Sequence, residues 1–418
     1  MMNTQAPALS GTPATPTSPA LRRMFLADVD WPKQRSEPYR LLFPLGTLLA
    51  VVGIGVWIPY AIWPAAIGYP GQGHAVIQIQ GFLMSFIFGF LTTMLPKVMG
   101  VRPLGPLAYA AFPICLIAIA ISALAGAPAL AQGFHLALLA NFLAFAIARF
   151  PQRKQQPPPP FVFIAAALGA DVIGTVLKLG AVLGYFGGPA FRAGALLQYQ
   201  AFPLLLILGV GGFLLPKLFA QGPIDPRALA AGAPSLRGQL ALCLALLASY
   251  GVEIGGLFTE GTAGLRIAYA LRAAVFAWFM AKEIRIQKTP GKLPPYLRAA
   301  RISLWVMAVG LVMPILRPQY MLAWEHVIFL SGFMRLTLSI AIRVLASHAG
   351  RMEVLGLHAR PVRIYGMLIV LSMMTRIATE IWPARHAFHL AVAAGLALFA
   401  IRMWARLFLP LVRVFPAR

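Results

Sequence analysis

Four imidazoles, His74, His135, His326 and His389, stand near one end of long apolar stretches that otherwise carry almost no side chain able to bind a ligand. An imidazole in or beside hydrocarbon is costly unless it has a partner, and its neutral form suits haem iron, copper or zinc. Four of them at one membrane depth point to a metal or haem site. His386 joins the set, because it lies three residues before His389 on the same helix face. Charged residues inside the apolar stretches add to the pattern. Arg335 falls in the middle of one, Asp171 and Lys178 share a face of another, and Arg376 with Glu380 has i, i+4 spacing. An arginine suits a carboxylate or a haem propionate, and buried acids can carry protons. The same charges serve equally as internal ion pairs that fix helix packing. Glu253, Glu260 and Glu325 fall toward the outer ends, where solvation suffices for them.

The elements that position these groups follow from composition. Of 418 residues 60% are hydrophobic and 11% charged, and the mean hydropathy is +0.78. No soluble core of this length hides so much apolar surface, so the chain is an all-α, polytopic membrane protein. Apolar runs predict about twelve spans, near 41–62, 75–95, 105–126, 129–149, 160–185, 192–219, 236–258, 264–282, 299–316, 320–346, 361–382 and 385–410.

Basic residues collect in every second loop. Lys97 and Arg102, Arg149 to Lys154, Arg227 and Arg237, Lys282 to Arg301 and Arg351 to Arg363 alternate with loops nearly free of basic charge. By the positive-inside tendency both termini lie in the cytoplasm. The net charge of +24 then reflects topology and attraction to anionic lipid, with no nucleic-acid partner implied. Residues 1–38, rich in Pro, Ala, Thr and Ser with Arg22, Arg23 and Lys33, are expected to form a disordered cytoplasmic tail. Cys115 and Cys243 both lie in apolar runs, which excludes a CxxC metal site and suits core packing.

Two polar linkers, Arg149 to Pro160 and Lys282 to Pro295, predict three four-helix units at 39–150, 151–285 and 286–418. Internal similarity agrees. Gln78-Ile79-Gln80-Gly81-Phe82 recurs as Gln198-Tyr199-Gln200-Ala201-Phe202, and Leu95-Pro96-Lys97 as Leu215-Pro216-Lys217, both at an offset of 120. Phe134-His135-Leu136-Ala137 returns as Phe388-His389-Leu390-Ala391, with Leu265-Arg266-Ile267-Ala268 between them. Repeated units of this kind often surround a central site.

The tenth span is the most specific part of the sequence. His326, Arg343 seventeen positions later, and Ser347-His348-Ala349-Gly350-Arg351 together resemble the NnrS family, where the last segment reads Gly-His-Thr-Gly-Arg. His74-Ala75, followed by Gly81-Phe82, Leu95-Pro96-Lys97 and Gly100, is similar to the family's His-Ala-His-Glu-Met region. Val76 and Ile77 replace its second His and its Glu, and Gln78 its Met. The resemblance implies a twelve-span inner-membrane protein with haem and copper, linked to nitric oxide metabolism or nitrosative-stress tolerance. It implies haem held by His74, His326 or His389, copper near His135 or His386, and propionates neutralised by Arg335 or Arg376. His348 is a further candidate metal ligand. Expected partners are membrane lipid, a small diatomic ligand and a possible membrane protein partner.

Two other classes compete. A secondary transporter would use Asp171, Lys178, Arg335 and the glutamine pairs as polar groups at mid-membrane. A non-catalytic subunit of a membrane electron-transfer complex would present small-residue faces such as Gly209, Gly211 and Gly212 to its partners. Nucleotide chemistry and a protease triad have no motif here.

Overall fold

The computed structural model describes residues 35–220, 235–259 and 261–414. Most of the expected tail, with Arg22, Arg23 and Lys33, lies outside the described residues, as do Arg227 and Glu260. Among the described residues the elements are all helical, and twelve helices are long and apolar enough to cross a membrane. These are α1 (Tyr39–Ile62), α2 (Gly71–Met99), α3 (Pro106–Leu124), α4 (Pro128–Gln152), α5 (Phe161–Val182), α6 (Gly188–Ala220), α7 (Leu236–Gly256), α8 (Ala263–Lys288), α9 (Pro295–Leu316), α10 (Pro318–His348), α11 (Ala359–Ile381) and α12 (Pro383–Arg413). Helices are the expected solution, because a backbone in hydrocarbon must bond to itself.

Several helices start a turn or so before the hydropathy rises. α2 begins at Gly71 instead of 75, and α6 at Gly188 instead of 192. Gly and Pro at these starts carry little hydropathic signal, yet Pro in the first helical turn loses no hydrogen bond there. At their far ends α2 and α10 stop alike. Gly100 (φ 66°) and Gly350 (φ 67°) take the left-handed conformation, and the next residue's N–H bonds back to Pro96 (3.0 Å) or Ala346 (2.9 Å).

The helices pack in a repeating order. α1 lies on α2, α5 on α6 and α9 on α10, while α3 with α4, α7 with α8 and α11 with α12 form hairpins. Between these groups α4 packs on α5, α8 on α9 and α12 on α1, so the bundle closes on itself. Arg40 fastens that closure by donating from Nη1 to the carbonyls of Val412 (2.5 Å) and Val414 (3.1 Å). Both described ends of the chain therefore lie on one face.

α2, α6 and α10 are the most buried spans. Each is interrupted by a wider π-helical segment, at Ile77–Leu83, Leu197–Ala201 and Val327–Met334. Such a segment inserts a residue and turns the side chains beyond it, a distortion frequent at functional sites. In each case a glycine on the preceding packed helix makes room. A Cβ on Gly53 would come within 2.8 Å of Ile77, one on Gly174 within 3.2 Å of Leu197, and one on Gly310 within 2.6 Å of Ile328.

Candidate functional site

Beside the π-helical segments lies a cavity of about 1000 Å³. It reaches Tyr69 in the α1–α2 loop and Gly126 in the α3–α4 loop, at the end opposite the basic loops.

His74 and His326 both line the cavity. His74 sits one turn into α2, and its Nδ1 lies 2.7 Å from the carbonyl of Gly53 on α1. His326 ends the regular turn before the π segment of α10, with Nδ1 2.7 Å from the carbonyl of Leu322. A carbonyl can only accept, so Nδ1 carries the proton in both rings and Nε2 keeps its lone pair. Neither Nε2 has a hydrogen-bond partner among the described residues. Trp57 meets the His74 ring edge to face at 5.3 Å and fixes its plane.

Arg376 of α11 lines the same cavity. Its Nη1 donates to Thr379 and, at 3.2 Å, to Glu380, the expected i, i+4 pair. Glu325, one residue before His326, accepts from Gln200 Nε2 at 2.6 Å, and Gln200 Oε1 accepts from the Tyr269 hydroxyl at 2.8 Å. Glu253 pairs with the fully buried Arg272 at 2.5 Å. Glu325 is thus a hydrogen-bonded part of the cavity wall and Glu253 an ion-paired one, and neither is simply a solvated charge.

A second polar patch joins α2, α4, α5 and α6. Gln80 Nε2 donates to Gln132 (3.1 Å) and Gln198 (2.8 Å), and Gln198 Nε2 donates to Thr175 (2.7 Å). Lys178 Nζ donates to Gln198 Oε1 (2.8 Å) and the Tyr199 hydroxyl (2.6 Å). Each amide finds partners, as buried amides must.

The other candidates go elsewhere. His135 is fully buried, with Nε2 3.0 and 3.2 Å from the two Asp171 oxygens. His348 lies at the far end of α10 from His326, where Lys97 Nζ donates to its Nε2 at 2.8 Å and the Tyr39 ring packs against it, tilted, at 4.9 Å. His389 lies against Trp382 at 6.1 Å, and neither it nor His386 lines the cavity. Arg335 is buried beside Gly366, with no hydrogen-bond partner for Nε or Nη1 among the described residues. Cys115 and Cys243 are buried free thiols. Gln132 lines the cavity, while Thr175, Tyr269 and Arg272 stand behind it as partners of Gln198, Gln200 and Glu253, and the motifs single out none of the four. Arg272 alone left a signal, as an arginine deep in an apolar run.

The donor chemistry fits haem: two imidazoles with fixed tautomers and free Nε2 atoms share a roomy cavity with an arginine suited to a propionate. It does not fit copper. No group of three or more His, Cys, Asp or Glu able to hold a metal ion assembles among the described residues.

The fold and cavity define a polytopic membrane protein with twelve membrane-length helices among the described residues and a histidine-lined cavity. Among curated proteins none matches the chain. The family model for NnrS protein matches residues 34–413, nearly the whole length, and the chain belongs to the NnrS family.

Proposed function

We propose that the chain is a haem-binding inner-membrane protein that takes up a small neutral diatomic such as nitric oxide, in nitric oxide metabolism or nitrosative-stress tolerance. The single observation that carries this reading is the pair of cavity-facing histidines with Nδ1 tied to carbonyls and Nε2 free. Family membership supports the link to haem and nitric oxide. When bound, haem would supply reversible diatomic binding and one-electron exchange.

The protein's own part follows from its residues. Nε2 of His74 or of His326 would hold the iron, and the Nδ1 hydrogen bonds keep each ring in the ligating tautomer. Arg376 would neutralise a propionate. Gln200 and Tyr269 hold the Glu325 carboxyl in place next to His326, where it can keep or release a proton. Among the described residues no donor set matches copper.

The positive-inside tendency supports a cytoplasmic basic face with both termini, and a cavity mouth on the other side. The π segments of α2, α6 and α10 with their facing glycines, and the closed order of packing, support a division into four-helix units at 39–150, 151–285 and 286–418. A transporter is the second reading, favoured by the buried band of Gln80, Gln132, Gln198 and Lys178, of which Gln132 and Lys178 line the cavity.

The test is the absorption spectrum of detergent-purified protein from cells supplied with haem. A Soret band is expected, lost on His74→Ala or His326→Ala and kept on His389→Ala. A colourless wild-type protein would remove the haem reading and leave the transporter ahead.

A further inference from the structure

Below the π segments a second chamber of about 120 Å³ lies among α2, α6 and α10. Its wall includes Phe86, Leu206, Phe333, Ile340 and Ala341, and the hydroxyl of Thr337 is its only polar side-chain group among the described residues. A confined water needs two to four polar partners, so this space disfavours water and suits an apolar guest. The wall cannot readily collapse inward. Phe86 is held by stacking on Phe43 at 4.5 Å and by edge contacts with Phe82 at 5.3 Å and Trp404 at 5.9 Å. Leu83 and Phe333 line both this chamber and the histidine cavity, so one layer of side chains separates the two.

We propose that this chamber is a binding site for one small apolar gas molecule, a neutral diatomic held next to the histidine cavity. The gas's identity rests on the function proposed above, whereas the chamber's affinity for an apolar atom does not. A diatomic dissolved in lipid would concentrate here without a polar capture loop. From here it needs to pass only Leu83 and Phe333 to reach the imidazoles.

The probe is xenon alone, applied under pressure to crystals of the full chain prepared without added haem. Anomalous scattering is expected between α2, α6 and α10. Ala341→Phe should abolish that peak by filling the space, and Ala341→Leu serves if the larger ring prevents folding. Thr337→Val, which removes the one hydroxyl, should keep or strengthen the peak. No peak in the chamber, or one unchanged by either Ala341 variant, would overturn the proposal. A chamber peak in a chain that shows no Soret band when grown with haem upholds the chamber and rejects only the histidine reading.

Discussion

α10 carries a histidine at each end, and the two make the same local bond to opposite effect. His326 and His348 each direct Nδ1 to the carbonyl four residues earlier, Leu322 at 2.7 Å and Val344 at 3.0 Å. They differ at the other nitrogen. That of His348 accepts from Lys97 in a cluster with Tyr39, while that of His326 has no hydrogen-bond partner among the described residues and belongs to a cavity wall. The tautomer is set by the helix in both places, so the backbone bond alone does not mark a ligand site. What Nε2 meets does.

The sharpest break of this comparison is the pair His326→Ala and His348→Ala. The first should eliminate the Soret band and the second should leave it, as read from absorbance per protein. Equal losses would mean the two ends are not chemically distinct. Next in size, Glu253→Gln should destabilise the protein by about 3–5 kcal/mol, because it strands the buried Arg272 without its counter-charge. Thermal melting in detergent measures it, and a shift near zero would show Arg272 reaching another partner. Gly310→Ala would push a methyl into Ile328 at the π segment that follows His326, at a cost of about 1–3 kcal/mol. Haem retention should fall with it, whereas Gly356→Ala, with open space around it, should change neither property. The smallest effect belongs to the loop after His348. The Arg351 guanidinium holds the Glu353 carboxyl below the usual carboxylate range. A depressed carboxylate adds stability above its unfolded pKa and loses it as pH falls through the folded value. Both side chains are exposed, so Glu353→Gln should leave melting unchanged on either side of that window.

The spans were legible because hydrocarbon leaves a backbone few options, and apolar runs of span length declare themselves. Within the site, His74, His326 and Arg376 could be picked by residue type and depth. Nothing in the same signal separates them from His135 or His389, because depth is a coordinate along the helix while cavity access depends on rotation about it. The π segments change that rotation, and no hydropathic period records them. Arg272 illustrates a related loss. Aligning the fourth helices of the repeats draws the eye to Arg266, yet the buried residue is six positions further on, where its guanidinium lies over the Tyr250 ring at 3.8 Å.

Arg40 grips the carbonyls of Val412 and Val414 and so brings the start of the first helix to the end of the last. In effect the polypeptide is a loop with a latch, and its natural opening is one choice among several. A circular permutant that joins residues 39 and 414 through a short linker and reopens the chain between Gln152 and Phe161 should still assemble, and a bulky fusion pressed against residue 414 should pry the latch.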